Sequence, residues 1–169
     1  MAPAKRAKNF LLLFGGIVAG SVMTLCVQNI PIGIGAANAK SVASPPPPSV
    51  WQFDALKEMA LEKLPDIDWT PVESGTRRNS ETTLFEGQNV VVVWEAGPAK
   101  LRIDEPFTYD EFVLVLKGEL VLTDTAGNSQ TYKEGDMFMV PKGFTGTWDM
   151  TEEYRELIIV DTQSYNADY

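Results

Sequence analysis

The chain has 169 residues, with 23 acidic against 14 basic side chains, a net charge of −9 and no histidine. That acidity excludes a nucleic-acid partner, whose phosphates need Lys and Arg, and disfavours attraction to anionic lipid. With no imidazole and Cys26 as the single cysteine, histidine-based triads and zinc–cysteine sites are excluded as well. Lys5, Arg6 and Lys8 precede an uncharged apolar stretch from Phe10 to Val27, and Ala37-Asn38-Ala39 follows. Basic, apolar, then small is the order of a secretory signal, so residues 1–39 are expected to be cleaved on export. The apolar stretch is also long enough to stay as an anchor through residues 10–27. The expected location is therefore periplasmic or secreted, with an inner-membrane anchor as the alternative. Cleavage would remove three of the 14 basic residues and no acidic one, leaving 11 against 23, a net charge of −12. It would also remove Cys26, so the exported part would hold neither a disulfide nor a thiolate nucleophile.

Residues 40–49 centre on Pro45-Pro46-Pro47-Pro48. Four prolines fix φ and lack donors, which makes an extended linker, either a stalk or a motif for a polyproline-binding partner. The remainder, 50–169, reads as one domain. Ser49-Val50-Trp51-Gln52 has the form of a helix capping box. Phe53, Leu56, Ala60 and Leu64 then recur at helical spacing, and Pro65 ends the run, so a short amphipathic helix is expected there. Ser74 to Ser80, with Gly75 and Arg77-Arg78, reads as an exposed loop. From Thr82 the pattern turns to strands: Asn89–Glu95, Lys100–Ile103, a long segment Phe112–Thr123, Ser129–Tyr132 after the turn Ala126-Gly127-Asn128, Met137–Val140, Thr145–Trp148 and Leu157–Val160. Many short strands between turn residues predict an all-β jelly-roll barrel with a short N-terminal helix.

Two blocks carry the strongest signal. Tyr109-Asp110-Glu111-Phe112 runs into Leu116-Lys117-Gly118-Glu119, and Gly135-Asp136-Met137-Phe138 runs into Val140-Pro141-Lys142-Gly143-Phe144-Thr145-Gly146-Thr147-Trp148. With Trp94 to Arg102 before them, these blocks resemble the cupin superfamily, and more closely the small domains similar to the cupin part of ureidoglycine aminohydrolase. The resemblance covers about residues 90–160 and implies a single cupin jelly roll. It also implies metal-holding histidines near Asp104–Phe107 and at Gly146, where this chain has none. Glu111 alone matches a family ligand position. A carboxylate set of Asp104, Glu105, Asp110 and Glu111 is disfavoured because neighbours on a strand point to opposite faces. No metal and no cofactor are expected.

What remains is carboxylate or tyrosine chemistry. Glu111, which the resemblance turns into the barrel among Val113 and Val115, is the candidate acid or base. Tyr109, two residues away, would share its face. Trp94 and Trp148 are candidate ligand contacts, with ordinary core packing as the alternative reading, and Arg102 and Lys142 are candidate partners for an anionic ligand. The expected function is binding of a small polar or planar molecule in the barrel. The alternatives are a metal-independent hydrolase or isomerase using Glu111, and a structural or regulatory subunit with a filled barrel. The small molecule is the expected partner, with a homodimer as the assembly that the resemblance implies.

Overall fold

The computed structural model describes residues 48–168. The leader expected over 1–39 and most of the linker lie outside the described residues. Eleven strands and two short helices follow in the order α1 (Phe53–Glu58), β1 (Glu62–Lys63), β2 (Val72–Gly75), β3 (Asn79–Glu86), β4 (Asn89–Ala96), β5 (Ala99–Ile103), β6 (Glu111–Lys117), β7 (Glu119–Asp124), β8 (Ser129–Lys133), β9 (Met137–Val140), β10 (Gly146–Met150), β11 (Tyr154–Asp161) and α2 (Thr162–Asp168). They form two antiparallel sheets, β1-β3-β4-β11-β6-β9 and β2-β5-β10-β7-β8. This is the expected all-β jelly roll.

The valine run of β4 shows why the sheets stack as they do. Val90, Val92, Trp94 and Ala96 join the core between the sheets, while Val91 and Val93 join a second cluster with Leu56, Leu116 and Leu157. A strand buried on both faces needs no polar alternation. Leu56 of α1 packs into that second cluster, so the helix covers the outside of the six-stranded sheet. Arg155 of β11 fastens it there, with one guanidinium nitrogen donating to the carbonyls of Leu56 and Met59 at 3.0 Å each. Its other nitrogens meet Glu95 at 2.7 and 2.8 Å.

Several local expectations are corrected. The helix is capped by Gln52 without a side-chain hydrogen bond, and the backbone is already extended at Met59. The capping box at Ser49 is not used, and Leu64 packs against the main core instead of continuing the helix. Residues 74–80 are not one exposed loop. Gly75 ends β2, Asn79 begins β3, and Asn79 is buried. The long segment Phe112–Thr123 is two strands, split at Gly118, where the chain passes from one sheet to the other. Gly118 has φ +82°, and a Cβ there would strike the Glu153 carbonyl, so only glycine fits the crossing.

Candidate functional site

Alternation on three strands builds the interior. On β6, Glu111, Val113 and Val115 are buried at a spacing of two, and on β11 Tyr154, Glu156 and Ile158 do the same. Register sets Glu156 opposite both Val115 and Trp94. On β10, Trp148 stands between Leu101 and Leu122 of its neighbours. The inward face is apolar except for carboxylates and tryptophans.

Between the sheets lies a cavity of about 50 Å³ that opens to solvent. Three tryptophans (Trp69, Trp94, Trp148) and Phe107 supply aromatic wall, and Glu81, Glu111 and Glu156 supply carboxyl groups. Leu101, Ile103 and Ile158 complete the lining, and none of these residues is basic. Glu156 accepts a 2.7 Å hydrogen bond from the Tyr154 hydroxyl. Burial pushes its carboxyl well above the usual carboxylate range, the Glu111 charge adds to that, and the Tyr154 bond opposes both. The Tyr154 phenol is raised by burial first and by the two glutamates after it. Trp148 is 5% exposed, and its indole N–H has no hydrogen-bond partner among the described residues. An unpaired buried donor costs about 1–3 kcal/mol.

The chain before β2 is tied to the start of β3 beside the cavity lining. Ile67 is buried, its N–H donates to the Arg77 carbonyl at 2.8 Å, and the Arg77 guanidinium donates to the Ile67 carbonyl at 2.6 Å. Asn79 donates to the Pro65 carbonyl at 2.7 Å and accepts from the Trp94 indole at 3.4 Å. These bonds hold the turn from which Trp69 reaches the cavity. At the C-terminus, buried Tyr165 of α2 places its hydroxyl 3.4 Å from Glu81.

Of the residues singled out from the sequence, Glu111, Trp94 and Trp148 meet in the cavity. Tyr109 is buried in the loop before β6, edge-on to Phe107 at 5.9 Å, and is not part of the cavity lining. Arg102 is exposed and donates to both Asp104 oxygens at 2.8 and 3.0 Å, which holds the Asp104 carboxyl below its usual range. Lys142 is exposed, and its backbone N–H donates to Asp110 at 2.8 Å, fixing the turn. Neither cation faces the barrel interior. Sequence reasoning missed Trp69, Glu81, Phe107 and Glu156. The signal for Glu156 was its spacing of two from Tyr154 and Ile158, which a strand begun at Leu157 hides.

The positions where the resemblance puts metal ligands do not fit a metal. Phe107 stacks on Trp148 at 6.2 Å with 6° between the planes, and Phe144 meets it edge-on. Aromatic carbon therefore occupies that ground. At Gly146 the backbone runs so close to β7 that any Cβ would strike the Thr123 carbonyl, so no ligand side chain can stand there. Asp104, Glu105 and Asp110 are exposed. No step can be routed through a metal on these residues.

Residues 83–156 match the model of the EutQ-like cupin domain. A search of the curated proteins finds no match. Among solved structures, a protein of unknown function of the DUF861 family from Pseudomonas syringae pv. tomato is 23% identical with a TM-score of 0.56. That alignment covers 62% of this chain and 45% of that protein, so this chain spans under half of its relative's length. The EutQ protein of Clostridium difficile is 17% identical over 50% of this chain and 68% of its own, with a TM-score of 0.44. A putative ethanolamine utilization protein Q from Salmonella typhimurium is 16% identical over 62% of this chain and 98% of its own, with a TM-score of 0.45. The two-sheet architecture and the matched segment agree on a cupin-type jelly-roll fold.

Proposed function

We propose that this protein is an exported binding protein that takes a small molecule into its barrel without a histidine-bound metal. One observation carries the reading: a cavity between the sheets is lined by Trp69, Trp94, Trp148 and Phe107 together with three carboxyl groups. A mostly apolar lining with a few placed polar groups is the usual form of a small-molecule site. The aromatic faces supply contact area for a planar or apolar ligand. The kinship to ureidoglycine aminohydrolase-type domains stays our reading of the motifs, and ureide hydrolysis is not carried over, because the relatives' metal positions are filled or closed.

The test is ligand-observed NMR on the protein with a panel of small neutral, anionic and cationic compounds, repeated on a cavity-filling Leu101→Trp variant. The reading predicts binding that the variant loses while its circular dichroism stays native. Absence of any binder, or binding that survives the filled cavity, would overturn it. Export is tested separately: sequencing the N-terminus of protein recovered outside the cytoplasm should find Lys40 first.

A second reading, Glu111 as a metal-independent acid or base, is favoured by the Tyr154–Glu156 hydrogen bond beside it. Groups whose surroundings shift their proton affinity are candidates for proton transfer. Turnover of a panel compound that stops in Glu111→Gln, with its binding retained, would make the protein an enzyme.

A further inference from the structure

We propose that this protein associates with a second copy of itself through β9, the two strands pairing edge to edge and antiparallel about a two-fold axis at Phe138.

The outer edges of the two sheets are β1, β9, β2 and β8. Three of them are polar where they meet water. β1 is Glu62 and Lys63, both exposed. β2 exposes Glu73, Ser74 and Gly75, and β8 exposes Ser129, Gln130, Thr131 and Lys133. Charged and polar side chains of this kind keep a free edge from pairing with another chain. β9 has none of them. Its exposed side chains are Met137 and Met139, at 66% and 54%. Phe138, of the opposite parity, stacks on Tyr132 at 3.8 Å, and Val140 is buried. That packing fixes which face of the strand looks outward.

The two methionines end longer apolar rows. Register sets Met139 beside Phe112 and Met137 beside Leu114, and β11 continues the rows with Ile159 and Leu157. Leu114, Ile159 and Leu157 belong to the cluster that Leu56 of α1 covers, whereas Met137 and Met139 do not. The rows therefore reach the edge of the sheet and stop at water. An added strand continues both the ladder and the rows.

Self-complementarity favours a second copy as that strand. An antiparallel pair centred on Phe138 sets Met137 opposite the partner's Met139, and the reverse. Glu134 and Lys142 each lie four residues from Phe138, on opposite sides. The same axis therefore brings each Glu134 to the partner's Lys142, twice in the dimer. Both are exposed, and Glu134 meets Lys57 through one oxygen at 2.6 Å. A net charge of −9 opposes unspecific contact between copies, so association requires a register that matches opposite charges. Each copy spends its one apolar edge, and the assembly closes at two. The contact falls short of the roughly 1,200 Å² of a stable interface, so the dimer is reversible, with a dissociation constant on the order of 10 μM.

The experiment is sedimentation velocity of the exported protein at concentrations on either side of that value. The proposal predicts a monomer that becomes a dimer and nothing larger. Met139→Lys gives β9 the protection of the other edges and should weaken the dimer about a hundredfold, because the lysine enters the contact twice. Circular dichroism should stay native, since the side chain stands in solvent. Lys142→Glu should weaken it about tenfold, as two exposed ion pairs turn repulsive. Mixing Lys142→Glu chains with Glu134→Lys chains should restore it, because the mixed dimer regains two opposite-charge pairs. A protein monomeric throughout, association that survives Met139→Lys, growth beyond two copies, or failure of the mixture to recover each overturns the proposal. If Met139→Lys fails to fold, the charge exchange, confined to exposed turn residues, still decides. None of these outcomes touches the binding reading, which the filled cavity tests separately.

Discussion

Glu156 sets the most specific expectation at the scale of single residues. Below a pH near 4.5, the ordinary value for this carboxyl, native and unfolded chains both hold its proton and its contribution is fully present. As pH rises past that point the unfolded chain releases the proton while the native one retains it. Stability then falls, by at most about 1.4 kcal/mol per pH unit, until the raised native value is passed. Glu156→Gln should flatten this slope, and urea titrations of both proteins from pH 4 to 8 measure it. Equal slopes would show that the Glu111–Tyr154–Glu156 group is not the source. How much of the site the sequence showed also belongs here. Glu111, Trp94 and Trp148 could be named because motif spacing or strand parity turns them inward. Arg102 and Lys142 could not be assigned, because whether a cation faces the barrel or solvent depends on tertiary placement; in the fold Arg102 pairs with Asp104, and Lys142 sits in an exposed turn whose backbone N–H is held by Asp110.

Among the elements, α1 depends least on its own sequence and most on one contact from afar. Six residues are too few for a helix stable in water, and its cap makes no side-chain bond. Arg155, 96 residues or more away in the chain, supplies what the cap lacks, bonding two carbonyls at the helix end and Glu95 beneath it. Arg155→Met leaves a nearly buried Glu95 carboxylate and two carbonyls without that partner. Loss of one member of a buried pair costs about 3–5 kcal/mol, so the variant should melt early and lose amide protection in Phe53–Glu58 first. Hydrogen exchange reads that order. Gly118→Ala should also be costly, by more than about 1 kcal/mol, because it strains a positive φ and drives a methyl into the Glu153 carbonyl. Strand β4 was legible because its β-branched run has a strong local preference. The ends of α1 and the starts of β2 and β3 were not, since Asn79 and Arg77 earn their places through bonds to the 65–67 turn, which no local pattern announces.

For the molecule as a whole, the family-matched segment and the site do not coincide. Residues 83–156 supply Trp94, Phe107, Glu111, Trp148 and, as the last residue, Glu156. Trp69 and Glu81 come from before it, and Tyr165, beside Glu81, from after it. The jelly roll was therefore readable from its turn glycines and strand alternation, while the part of the cavity wall made by Trp69 and Glu81 was not, because those residues lie in flanking segments tied on by tertiary bonds. The same placement gives a direct probe of the central claim, that the barrel interior is a ligand site. Of the four tryptophans, Trp69, Trp94 and Trp148 line the cavity and Trp51 is exposed outside it. The decisive measurement is a ¹H–¹⁵N NMR titration that follows the indole N–H signals as the small-molecule panel is added. The account predicts that a bound compound shifts the Trp69, Trp94 and Trp148 signals, whose rings line the cavity, and leaves Trp51 in place. A panel that never moves Trp148, or moves only Trp51, would contradict it.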